Sequence, residues 1–196
     1  MYATLRGGTV AAMLMVGGSA AAQPASAPTS APTKAVEMPA KTGTAPVPFT
    51  ADRIREATKK GRTYRFEVGG PGEGPMTLTM RFVEVGKEKV VLESTMLDAA
   101  GKPLAEGKRQ DTTWAKLEGH AHYPAAATVI TPEKVTVPAG TFATKKYTVT
   151  TKEPDGATLV VQAWFADDLP GAPVKYIAEK DGKRVSTMTL LEHTNP

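Results

Sequence analysis

VTVPAGTFATKKYTVTTKEPDGATLVVQAWFADDLPGAPVKY, the stretch from Val135 to Tyr176, decides how this chain folds. Two tight turns punctuate it, Val137-Pro138-Ala139-Gly140 and Leu169-Pro170-Gly171, each joined to an apolar or aromatic run. Proline presets φ for a turn and glycine tolerates backbone angles that other residues resist. Between the turns, Tyr147-Thr148-Val149 and Thr158 to Ala163 supply β-branched residues in period-two order, as the middle of a sheet requires.

The same alternation extends in both directions. Arg62 to Val68 places Tyr64, Phe66 and Val68 on one face, and Met76, Leu78, Met80 and Phe82 alternate with Thr77, Thr79 and Arg81. Gly86-Lys87-Glu88 reads as a hairpin leading into Lys89 to Leu97. Asp98 to Gly101 turns into a weaker strand near Leu104 to Leu117, with Trp114 inside it. After an irregular segment through Tyr123-Pro124, strands are expected at Thr128 to Val137, Thr141 to Thr151, Thr158 to Phe165, Val174 to Glu179 and Arg184 to Leu191. Turn signals at this spacing predict a mainly β domain: a large antiparallel sheet, curled or closed into a half-barrel.

One helix precedes the strands. Thr50 is suited to N-cap Ala51 to Lys60, Phe49 and Ile54 have the spacing of a hydrophobic staple, and Gly61 closes the helix. A helix this short is marginal alone and must lie on the sheet.

Upstream, residues 1–22 read as a secretory signal peptide, with Arg6 as the n-region charge, Thr9 to Val16 as the apolar core and Ala20-Ala21-Ala22 at the cleavage site. Residues 23–48 alternate proline with Ala, Ser and Thr, the composition of a disordered linker. The expectation is an exported protein, periplasmic or extracellular, with a single folded domain at 49–196 and no membrane span once the leader is removed.

Composition narrows the chemistry. Cysteine is absent, which excludes thiol catalysis, thiolate metal sites and disulfides. The net charge is +4, and Arg6 leaves with the leader; the remaining basic pairs are scattered at element ends. A nucleic-acid footprint is instead a clustered basic stripe, so no nucleic-acid partner is expected.

His120 and His122 would share a side with Glu118 on an extended segment, and His193 is the only other histidine able to complete a metal set. Gly119 and Pro124 point to a solvated loop instead, and no metal is assigned. Asp167 and Asp168 follow a strand as neighbours, so they diverge, and Asp before Leu-Pro-Gly is turn chemistry. Gly69 to Gly74 is a turn with no helix after it to hold phosphate. No nucleophile–base pair is present, and the expectation is a non-enzymatic protein without a cofactor. The methionines and aromatics, Met76, Met80, Met96, Met188, Phe82, Trp114, Tyr147, Trp164, Phe165 and Tyr176, suit either a packed core or an adaptable apolar surface. If a curved sheet leaves a cavity, Met80, Phe82 and Trp164 are its expected lining, and the partner is an apolar small molecule or lipid. The alternative is a structural or interaction module with a packed core and an envelope protein as partner.

The run Val135 to Phe142, Tyr147-Thr-Val149, Trp164-Phe165 with Pro170 to Val174, and the closing Thr189-Leu190-Leu191-Glu192 resembles uncharacterised bacterial envelope domains related to the lipoprotein-carrier superfamily. That resemblance implies a half-barrel of antiparallel strands curved around helix and apolar cavity. The matching positions are architectural, so no functional residue carries over.

Overall fold

The computed structural model describes residues 43–196. The expected signal peptide, and the expected linker as far as residue 42, lie outside the described residues. In chain order the elements are α1 (Ala51–Glu56), β1 (Thr63–Gly69), β2 (Met76–Val85), β3 (Lys89–Leu97), β4 (Lys108–Thr113), α2 (Trp114–Gly119), β5 (Thr128–Val137), β6 (Gly140–Lys152), β7 (Thr158–Ala166), β8 (Lys175–Lys180) and β9 (Lys183–Thr194).

All nine strands form one antiparallel sheet in the order β4-β3-β2-β1-β9-β8-β7-β6-β5. The chain builds one hairpin meander outward to β4, crosses over to β5, and meanders back until β9 pairs with β1. The expected mainly β class and large antiparallel sheet stand. The sheet is open, with β4 and β5 as its edges, and it is not strongly curled or closed. One local fold-over occurs at the β5–β6 turn, where the Ala139 amide donates to the Leu190 carbonyl of β9 at 3.3 Å.

Register divides the side chains into two faces. Tyr64, Phe66 and Val68 of β1 lie opposite Met80, Leu78 and Met76 of β2 and His193, Leu190 and Met188 of β9. The same face continues through Met96, Ser94 and Leu92 on β3, Tyr176 and Ala178 on β8, Val161, Ala163 and Phe165 on β7, and Tyr147 and Val149 on β6. The opposite face carries Arg65, Glu67, Thr77, Thr79, Arg81 and Glu93 along β1 to β3.

A thin layer covers one end of the apolar face. Residues 44–50 cross β6 and β7: Ala45 donates its amide to Tyr123, the Tyr147 hydroxyl donates to the Pro46 carbonyl, and the Phe49 ring meets Phe165 edge-on at 6.3 Å. The packed chain therefore begins ahead of Phe49, within the final residues of the expected linker. Thr50 caps α1 as expected, its hydroxyl accepting from the Arg53 amide, and Phe49 and Ile54 are both buried. The α-helix is shorter than expected and ends at Glu56. Its last turn tightens, with the Thr58 amide bonding back to Arg55, and the chain then leaves to pair with β2 through Gly61 N–H and Phe82 O. Gly61, at φ +90°, closes the turn.

A second helix replaces the distal part of the expected Leu104–Leu117 strand. Thr113 accepts the Lys116 amide and so caps α2, and Trp114 turns inward at 3% exposure. The indole N–H of Trp114 donates to the Gly86 carbonyl at 3.0 Å, pinning α2 to the β2–β3 hairpin. Leu117 follows one turn on, on the same side of the helix, and Ala121 is buried just past the helix end. Glu118 then accepts the Ala51 amide at 2.6 Å, so the second helix caps the first. No helix among the described residues is long and apolar enough to cross a membrane.

Candidate apolar binding face

Coverage of the apolar face changes along the strands. At the end where α1, α2 and residues 44–50 lie, Tyr64, Phe82, Val90, Phe165, Val174 and Leu190 are all buried. Toward the far end, Met76, Leu78, Met96, Tyr176 and Met188 are only half-buried, although they share that face and touch the core. Val68 lies between Met76 and Met188 in the ladder, Leu78 is the cross-strand partner of Met96, and Tyr176 pairs with Met188. The result is an apolar patch on β3 and β2 and on β9 and β8, half open to solvent on either side of β1, whose Phe66 and Val68 are buried.

The three residues expected to line a cavity are placed as follows. Met80 sits opposite Tyr64 and Ser94, half-buried, at the boundary between the covered and open halves. Phe82 shares that face but belongs to the covered half: it is 5% exposed and stacks on Trp114 with centroids 6.3 Å apart. Trp164 pairs with Lys146 and Lys175 and so lies on the opposite face of the sheet. Both ammonium groups stand over its ring, at 4.9 and 5.0 Å, and its indole N–H is buried without a protein partner. Met80 and Phe82 are thus brought together, and Trp164 is separated from them by the thickness of the sheet. Period-two parity locates Met76, Leu78 and Met80 from sequence; Met96, Met188 and Tyr176 join them only through the β2–β3, β1–β9 and β8–β9 registers.

Polar features on the open half are few. The Tyr176 hydroxyl has its pKa raised by burial. Its neighbours Tyr123 and Tyr147 are displaced in the same direction, Tyr147 up to about 12, again chiefly by burial. Of these three phenols only Tyr176 belongs to the open half; Tyr147 is buried under residues 44–50, which Tyr123 also holds.

The other weighed residues resolve plainly. Glu118, Gly119 and His120 end a helix, not an extended segment, and His122 Nε2 approaches Glu118 Oε1 at 3.3 Å as an i,i+4 pair. No group of three or more His, Asp or Glu side chains able to hold a metal ion occurs among the described residues. Asp167 pairs with Lys145 at 3.3 Å, while Asp168 acts electrostatically on His193, so the two carboxylates serve different neighbours. The Gly69–Gly74 turn borders an open cleft of about 310 Å³ with Glu67, Glu73 and Arg184 on its walls; it contains none of the three expected lining residues.

No family model matches the chain, and neither a curated protein nor a solved structure does.

Proposed function

We propose that this protein is an exported, non-enzymatic binding domain that takes a flexible apolar ligand, such as a lipid acyl chain, against the open half of its sheet. The observation that supports this reading is the half-exposed patch of Met76, Leu78, Met80, Met96, Tyr176 and Met188 beside a covered and fully buried half. Methionine is unbranched and polarizable, so a methionine-rich surface adapts to chains of varying shape at low cost. Removing such a patch from water is worth roughly 25 cal/mol per Å², which favours any apolar occupant large enough to span it.

An interaction module of the cell envelope is the second reading. It draws on the openness of the sheet, because a broad uncurled face suits a partner protein better than an enclosed cavity does. Mass spectrometry of organic extracts from natively purified protein separates the two. A retained lipid, together with displacement of a fluorescent fatty acid that fails in Met96→Glu, supports the first reading. Clean extracts and no fatty-acid binding by the wild type would remove it.

A further inference from the structure

At the covered end of the sheet lies a polar cluster that the apolar-face reading does not use. Arg62, immediately before β1, is 1% exposed. Its Nη1 donates to the Thr58 hydroxyl at 2.9 Å, and its guanidinium carbon stands 4.8 Å from the Tyr64 ring centroid. Among the described residues no carboxylate forms an ion pair with it, the adjacent Tyr64 phenol is held neutral by burial, and its Nε–H has no hydrogen-bond partner. The His193 ring lies 5.3 Å from the same Tyr64 ring, and its Nε2 is likewise buried without a partner.

Arginine cannot shed its proton in a protein, so burial leaves a fixed positive charge. A buried charge without a counter-charge is costly to hold, and each orphaned buried N–H adds to that cost. Here two side chains with unpartnered nitrogens, Arg62 just before β1 and His193 on β9, both pack against the Tyr64 ring. Three chain segments pack nearby. The end of α1 contributes Thr58, and the turn after β7 contributes Pro170, whose carbonyl accepts from Tyr64 at 3.4 Å. The chain after β9 contributes Asn195, which accepts from the Lys59 amide and donates to the Ala57 carbonyl.

We propose that Arg62 and His193 form a binding site for one small oxyanion, a phosphoryl or carboxylate group, admitted between the 167–171 turn and the segment after β9. The anion would accept from Arg62 Nε–H and from His193 Nε2–H, and its negative charge favours the protonated imidazole over the neutral Nε2–H tautomer. Binding therefore takes up a proton and strengthens as pH falls. The charged or titratable groups facing His193 are Arg62 and Tyr64 from β1 and Asp168 from the turn after β7; α1 offers only the Thr58 hydroxyl and the segment after β9 only the Asn195 amide.

The test is a thermal-shift and calorimetric titration of the full chain with sodium phosphate and with sodium acetate, against chloride at matched ionic strength. Expected is a saturable, one-to-one effect of an oxyanion over chloride, with proton uptake and tighter binding at about pH 5.5 than at about pH 7.5. A response to phosphate alone assigns a phosphoryl group, and a response to both assigns oxyanions generally. His193→Gln should abolish the proton uptake, and Arg62→Gln the binding itself. If Arg62→Gln does not fold, proton uptake in the wild type and its loss in His193→Gln carry the decision. Oxyanion effects no larger than those of chloride, or unchanged proton uptake in His193→Gln, would overturn the proposal.

Discussion

Gly171 is where the fold leaves the least room. Its φ of +138° disfavours any L side chain, and a Cβ built there would stand 2.6 Å from the Tyr64 hydroxyl, which is fixed in a fully buried ring. Gly140 has a similar φ of +142°, but its Cβ would meet only Phe142 carbons at 3.7 Å, an ordinary contact. Backbone strain at such positions costs on the order of 1–3 kcal/mol. Gly140→Ala should therefore lose about 1 kcal/mol, and Gly171→Ala distinctly more, because strain and clash add there. Parallel denaturant melts check the order, and equal midpoints for the two variants would contradict the steric account. At the same scale, His193 has its pKa lowered, chiefly by burial, then by Arg62, with Asp168 opposing. The unfolded chain thus binds the proton more tightly. In chloride buffer, stability is fully present above the unfolded value of about 6.5 and is lost as pH falls from there through the lower folded value. His120 shifts in the same direction through burial alone. Urea melts at about pH 7.5 and about pH 5 should show a smaller acid loss in His193→Gln, and likewise in His120→Gln, than in the unsubstituted chain.

At the scale of elements, α2 shows how a side-chain hydroxyl decides between strand and helix. Thr113 ends β4 in extended geometry, and its Oγ1 then accepts the Lys116 amide at 3.2 Å. Loss of such a cap costs about 1 kcal/mol. Thr113→Ala should show that loss, and faster amide exchange at Lys116 should accompany it; Thr113→Ser should retain the bond and most of the stability. The helix was hidden in the sequence because Trp114 favours strands and the two preceding threonines continue the β pattern, while the Trp114–Leu117 spacing is too short to stand out. The hairpins were legible for the opposite reason. Asp155-Gly156, Leu169-Pro170-Gly171 and Asp181-Gly182 turn where their chemistry requires, with Gly156, Gly171 and Gly182 all at positive φ. Parity likewise placed Met80 and Phe82 on one face. It could not place Trp164, which ends a strand buried on both sides: Phe165 meets Phe49 and Tyr147, whereas Trp164 is held between two lysines. The pairing of β9 with β1, which assembles the methionine patch, spans nearly the whole domain and leaves no local trace.

Across the whole molecule, the sheet meets its surroundings through one half-open face and two free edges. The face predicts a contrast along β2. Phe82→Ala empties a site under α2 and should cost about 3–5 kcal/mol, whereas Met80→Ala at the boundary should cost clearly less. Matched losses in urea melts would mean the open half is packed as tightly as the covered one. The edges differ in their defences. β4 reads Lys108-Arg109-Gln110-Asp111-Thr112-Thr113, short and charged, which discourages an added strand. β5 is longer and carries Val129 at 60% exposure, a more inviting template. Pro132 sits midway along it, opposite Lys145 of β6. Having no N–H, proline withholds a ladder donor, and on an edge strand this interrupts the row a foreign strand would use. Glu133 and Lys134 follow it directly and add charge to the same stretch. Pro132→Thr should leave monomer stability within about 0.5 kcal/mol, as surface changes usually do, while promoting concentration-dependent self-association through β5. Sedimentation velocity over a range of concentrations reads this directly. Restoring a block with Val129→Lys in the same chain should reverse it, and a Pro132→Thr protein that stays monomeric would show that β5 is guarded by something other than its proline.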